Sequence, residues 1–308
     1  MATYSSFPSV SGQTLEKAFW PCEGKPKGLN QPKAVVQLVH GMAEHIRRYE
    51  PTAQALNRAG YAVVGHSHAG HGPYTQTKGY FGKKNGWDTL IADVHTVRME
   101  TQKQFPGVPY VLLGHSMGSF VTRGYCLQHE DGLAGVVLSG TRHSSKAELL
   151  AASAIANVQI ALGMGEKPGK FLEKLSSGDN NKRYEDVRTP FDWLSRDREA
   201  VAKYVADPLC GFTFTVRAYR DMFEGLSRLY PEKLGAMRPD IPILLLAGDM
   251  DPVGAYGEGV KKVAQELRAA GVKDVSVQLY AGGRHEMFNE LNKEMVWADL
   301  IAWLDQHV

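Results

Sequence analysis

Residues 109–116, PYVLLGHS, form an apolar run that passes without a break into GSFVTRGYCLQH at 118–129, whose spacing is helical. The chain must therefore turn a tight corner within GHSMG, residues 114–118. A continuous apolar strand feeding directly into a helix is the building unit of a parallel sheet covered on both faces. The signature recurs along the chain. KAVVQLVHG (33–41), YAVVG (61–65), LAGVVLSG (133–140), IPILLLAGD (241–249) and KDVSVQLYAGG (273–283) read as strands. Helices are expected from about Pro51 to Ala59, ended by Gly60, and from about Asp88 to Phe105, ended by Pro106 and Gly107. A last helix covers NKEMVWADLIAWLDQHV. Between about 142 and 238 strand signals vanish, and helical patterns alternate with loops such as SSGDNNKRYEDVRTPFDW. The expected class is α/β, a doubly wound, mostly parallel sheet with a helical cap insertion. The core is expected over 1–140 and 241–308, and the cap over 141–240.

Composition narrows the function. A net charge of +2 in 308 residues leaves no nucleic-acid footprint, so no nucleic-acid partner is expected. The basic runs, Lys25 to Lys33 and Lys182–Arg183, are short and read as solvated loops. Three cysteines, Cys22, Cys126 and Cys210, fit a reducing compartment without a disulfide framework. Cys126 falls in an apolar helical pattern and reads as a core residue. The N-terminus lacks a basic stretch followed by an apolar one, so no signal peptide is expected and the location expected is cytoplasmic. The longest apolar stretch, LLAASAIANVQIALGMG (149–165), falls short of the roughly 20 residues a spanning helix needs.

The corner itself carries chemistry. G-x-S-x-G gains meaning from its setting between strand and helix, where a serine is forced into unfavourable backbone angles and lifted above the sheet edge. Glycines two residues to either side let neighbouring backbone approach. A serine is nucleophilic only beside a base, usually histidine, oriented by a carboxylate. In this fold type the order is serine, acid, histidine, each after a strand. Ser116 is the candidate nucleophile. The strand ending near 247 is followed by GDMDPVG, which offers Asp249 and Asp251, and the strand ending at Tyr280 by AGGRHEMFNE, which offers His285. His115 reads as packing behind the serine. Oxyanion donors are expected from the amides of Met117 and of Met42, with Gly41 letting that loop turn inward. Glu44 and Arg48, four apart, could pair and hold the loop.

With these residues in hand, the chain resembles the monoacylglycerol lipase and lysophospholipase branch of the α/β-hydrolase superfamily. HGMAEHIRRYE (40–50), GHG (70–72), GHSMGS (114–119), GDMDPVG (248–254) and GGRHE (282–286) carry the resemblance, and RTPFDWLSRD (188–197) with YVADPLCG (204–211) looks like its bacterial members. The resemblance implies Ser116, Asp251 and His285 as triad, Met42 and Met117 as amide donors, and a mobile helical cap over an apolar pocket. It leaves Asp249 to order the turn. Gly41, Ile160 and Val253 are the candidate substrate contacts. The implied reaction is hydrolysis of a small-molecule acyl ester of lipid type through an acyl-enzyme, with no cofactor. A short-chain carboxylesterase or proline-type peptidase would use the same triad, and a non-catalytic ligand-binding protein could share the fold. The 149–165 segment reads as lining an acyl tunnel, as touching a lipid surface transiently, or simply as cap core. The family usually has Asp and Arg where this chain has Ser67 and Ala69, which removes an ion pair near the site.

GHSHAGHG (65–72) raises a rival chemistry, because His66, His68 and His71 are spaced like the H-x-H-x-D-H motif of metallo-β-lactamase-type hydrolases. Gly70 stands where that motif needs an aspartate, and the further ligands a catalytic zinc requires are not placed after strands. The expectation is a structural turn and no metal.

Overall fold

A computed structural model describes residues 1–22, 31–230 and 237–308. Its parallel strands are β3 (Val35–Val39), β4 (Ala62–His66), β5 (Tyr110–His115), β6 (Gly135–Ser139), β7 (Ile243–Gly248) and β8 (Val275–Tyr280). Side chains along β3 and β5 alternate between two separate cores. Val35, Val39, Tyr110 and Leu112 face one, and Val36, Leu38, Val111 and Leu113 the other. That alternation with no polar face is why these segments read as unbroken apolar runs. Burial on both sides stabilises each large side chain by about 1.5–3 kcal/mol.

Helices α1 (Glu50–Arg58) and α9 (Lys293–His307) cover one face through Ala53, Leu56, Val296, Leu300 and Trp303. Helices α2 (Gly86–Gln104), α3 (Met117–His129) and α8 (Glu258–Ala269) cover the other. The α8 helix had no counterpart in the sequence reading. Buried Cys126 belongs to this second core, and burial pushes its thiol up to about 12, as befits a small packing residue.

Two strands escaped the sequence reading. β1 (Thr3–Pro8) and β2 (Thr14–Trp20) form an antiparallel hairpin that extends the sheet to β1-β2-β4-β3-β5-β6-β7-β8. Only Phe7 of β1 is buried, so the strand offers no apolar periodicity to detect. Its turn is tied down instead by Asp93 of α2, which accepts from the Ser9 hydroxyl at 2.8 Å and the Val10 amide at 3.2 Å.

Between β6 and β7 lie α4 (Lys146–Ala161), α5 (Lys170–Ser177), α6 (Arg198–Ala206) and α7 (Val216–Ser227), with no named strand among the described residues. Ser145, Asp197 and Thr215 cap α4, α6 and α7 by accepting backbone amides of the first turn. The basic run from Lys25 to Lys33 falls mostly outside the described residues. Lys182 and Arg183 sit in a turn, with the Arg183 guanidinium 3.7 Å over the Tyr256 ring.

Candidate active site

Strand order reverses between β3 and β5, since β4 follows on one side and β6 on the other. Loops leaving neighbouring strands in opposite directions open a crevice at the carboxyl ends. Ser116 leaves β5 and Gly41–Met42 leave β3 on the two sides of that switch point. Loops after β7 and β8 bring in Asp251 and His285.

Ser116 has φ 52° and ψ −122°, a strained conformation for a residue with a Cβ. The turn is over-determined. The Ser116 amide donates to Ser139 O of β6 at 2.8 Å, and the Ser119 amide returns to Ser116 O at 2.8 Å. A Cβ on Gly118 would collide with the carbonyl oxygen of Val39, and one on Gly114 with that of Gly118. Met117 is the first helical residue, so its amide has no carbonyl one turn back to bond.

Asp251 is fully buried after β7. One carboxylate oxygen accepts the Val253 amide at 2.9 Å, and the other lies 2.9 Å from His285 Nδ1. A carboxylate only accepts, so Nδ1 carries the proton and Nε2 is the basic nitrogen. Burial would lower the His285 pKa, but the Asp251 charge and hydrogen bond outweigh it and hold the imidazole above its ordinary value. Asp249 is turned away: its carboxylate accepts the Gly282 amide at 2.7 Å and orders the two loops. His115 bonds the Ser139 hydroxyl at 3.2 Å with its ring 4.8 Å from that of His285. Burial first, and His285 next, push it down to about 4, so it stays neutral.

The loop after β3 rests on a charged network. Glu44 accepts the Gly41 amide at 2.6 Å, the Tyr49 hydroxyl at 2.9 Å and Arg48 at 2.5 Å. Arg48 then makes two parallel 2.7 Å bonds to Glu286, the residue after His285. The i,i+4 pair was visible in sequence. Glu286 was not, because it lies 238 positions away. Against the cost of burial, Arg48 holds the Glu286 carboxyl down at about 2.

The histidine-rich stretch supports the same loop. His40 Nε2 accepts the His68 amide at 2.9 Å, which leaves Nδ1–H to donate to Gly41 O at 2.8 Å. His71 Nε2 accepts the Ala43 amide at 3.2 Å and its Nδ1–H donates to Ala69 O at 3.0 Å. His68 Nε2 donates to His40 O at 3.2 Å. Burial drives His66 and His71 down to about 3, so both are neutral. With both ring nitrogens of His71 engaged in holding backbone, the zinc-like spacing has a structural use. Ser67, where the family usually has Asp, accepts the Ile46 amide at 3.4 Å.

A cavity of about 120 Å³ is lined by Gly41, Met42, Ser116, Met117, Val253 and His285 together. The structure thus gathers every predicted site residue except two. Asp251 lies outside the lining, hydrogen-bonded to His285 Nδ1. Ile160 is absent from the lining and packs half-buried against the main core, and no residue of 149–165 borders the cavity. The tunnel expectation for that segment is corrected: α4 lies against α7, and the apolar lining comes from Phe120, Phe191, Trp193, Leu194, Phe212 and Met222.

A mostly parallel sheet with a strained serine at its switch point and a buried acid–histidine pair two loops away defines an α/β-hydrolase-fold serine hydrolase. Residues 30–292 match the family described as serine aminopeptidase, S33, and the chain belongs to it. The monoacylglycerol lipase of Mycolicibacterium smegmatis is 29% identical over 309 residues, covering 98% of this chain and 97% of the relative. The monoglyceride lipase of Homo sapiens is 28% identical over 311 residues, covering 97% and 89%. The crystal structure of a highly thermostable carboxyl esterase from Bacillus coagulans, in complex with glycerol, has a TM-score of 0.91 and 32% identity, covering 99% of this chain and 98% of that one.

Proposed function

We propose that the protein hydrolyses monoacyl esters of a small polyol, of monoacylglycerol type, with Ser116, His285 and Asp251 as triad. The observation that carries this reading is the shared cavity, where Ser116 and His285 meet both an apolar and a polar wall. His285 Nε2 takes the Ser116 proton as the hydroxyl oxygen attacks the ester carbonyl, and Asp251 steadies the imidazolium. The amides of Met42 and Met117 bind the oxyanion, a contribution of about 3 kcal/mol for one such donor. The imidazolium protonates the leaving alcohol, and water repeats the sequence to free the acid. No step calls on a cofactor.

Phe120, Phe191, Phe212 and Met222 suit an acyl chain, and Glu173, Ser176, Ser177 and Asn180 suit hydroxyls. Glu173 disfavours a phosphate, and the arginine of the lining, Arg142, is already paired with Glu148 at 2.5 Å. A neutral headgroup therefore fits better than a phosphorylated one. We assign residues 141–240 as the cap. Its helices expose Leu150, Val158, Leu162, Phe171 and Leu175, a surface suited to transient contact with a lipid layer. No helix among the described residues is long and apolar enough to cross a membrane. The free cysteines, Cys22, Cys126 and Cys210, support a reducing, cytoplasmic setting for the enzyme.

The test is a substrate panel with Ser116→Ala as blank: monoacylglycerols of rising chain length, a lysophosphatidylcholine of matched chain, p-nitrophenyl acetate and a prolyl peptide amide. The highest kcat/KM is expected for a monoacylglycerol. A preference for the lysophospholipid or the peptide would overturn the reading.

A further inference from the structure

We infer that Trp193 is a positioning residue that holds the His285 imidazole and stabilises its cationic form during turnover. The inference rests on the triad proposed above. The Trp193 ring lies 5.0 Å from the His285 ring at 41°, and Trp193 borders the cavity. An indole face attracts a cation through its quadrupole, more strongly where water is excluded. His285 is 2% exposed and becomes a cation each time it takes the serine proton.

The backbone around Trp193 is fastened to the histidine loop residue by residue. Arg284 Nη1 donates to Asp192 O at 2.5 Å, the His285 amide to Trp193 O at 3.4 Å, and the Glu286 amide to Leu194 O at 2.7 Å. The Ser195 hydroxyl donates to Asn289 O at 2.9 Å, and the Arg196 amide to Glu290 Oε1 at 3.0 Å. Asp192 closes the local turn by accepting the Thr189 amide and hydroxyl at 2.9 and 3.0 Å. Residues 192–196 belong to the helical segment between β6 and β7, yet they are bound to the loop after β8. These bonds fasten this part of the segment to the His285 loop. The indole is therefore a fixed wall for the base, set against Asp251 on Nδ1 and neutral His115 at 4.8 Å, with Glu286 and Glu44 as the other charges acting on the ring.

The test compares wild type with Trp193→Phe and Trp193→Leu on p-nitrophenyl butyrate, recording kcat, KM and the pH dependence of kcat/KM. Removing the ring should lower kcat about tenfold, equivalent to ~1.4 kcal/mol, with KM changed less than about twofold. The alkaline-going rise of activity should move to lower pH, because the imidazolium loses a stabilising neighbour. Trp193→Phe should recover most of the kcat and the pH midpoint. If Trp193→Leu does not fold by circular dichroism, Trp193→Met, closer in bulk and without a ring, takes its place. Unchanged pH midpoint and kcat in the ringless variant would overturn the inference, as would a Phe variant no better than Leu. Failure of the triad reading would look different: wild type itself would lack Ser116-dependent turnover.

Discussion

Ser116 holds φ 52°, so strain sits on the residue proposed as the nucleophile. Ser116→Gly should raise thermal stability by about 1 kcal/mol, the low end of what such strain stores, while abolishing ester turnover. Calorimetry beside an esterase assay checks both, and a destabilised glycine variant would deny the strain. The proposed base is tuned from the other side. His285 must be neutral to accept a proton, and Asp251 raises its pKa above 6.5, so kcat/KM should climb through a midpoint above that value. The same shift stabilises the fold fully below 6.5, and that contribution disappears as pH rises through the raised pKa. Asp251→Asn removes the largest cause that raises it. The midpoint should fall below that of wild type, with kcat down by roughly 10³–10⁴. A pH–rate profile with an unmoved midpoint would break the link between the two residues.

At the scale of elements, the loop after β3 is held by charges that only the fold assembles. Glu44 and Arg48 announce themselves by spacing, and the elbow, acid loop and histidine loop by the strands before them. Glu286 and Trp193 lie within the motifs GGRHE and RTPFDWLSRD, but their roles gave no local signal, because their partners Arg48 and His285 are distant in the chain. The β1–β2 hairpin was missed for a different reason: it lies at the sheet's edge, where one buried phenylalanine in six residues carries no period. Ile160 was misplaced because an apolar helix face reads alike whether it meets a pocket or another helix. The buried network has its own signature. Replacing Arg48 with Met strands two buried carboxylates and should cost about 3–5 kcal/mol. The depressed Glu286 carboxyl stabilises the wild type above pH 4.5, and that stability is lost as pH falls toward about 2. Arg48→Met should therefore begin acid unfolding at a higher pH, read by fluorescence. An unchanged acid midpoint would show that the network carries no stability.

For the whole molecule, the cavity and the exposed apolar side chains between β6 and β7 occupy different places, and the 149–165 stretch, expected as acyl tunnel, lipid contact or cap core, borders no part of the cavity. The proposed chemistry lies in the cavity bordered by Phe191, Trp193, Leu194, Gly211, Phe212 and Met222, and the exposed apolar side chains of α4 and α5 lie outside its lining. A triple variant, Leu150→Ser with Leu162→Ser and Phe171→Ser, should lose binding to phosphatidylcholine vesicles in a flotation assay. Its turnover of dissolved p-nitrophenyl butyrate should stay within about twofold of wild type, since single exposed side chains contribute little to stability. Loss of both would place these residues in the catalytic cavity after all. The claim on which everything turns is that Ser116 is activated by His285, and fluorophosphonate labelling read by intact and peptide mass spectrometry addresses it directly. One adduct per chain is expected, on Ser116, forming at a rate that collapses in His285→Ala. An adduct on another residue, or an equal rate without the imidazole, would contradict it.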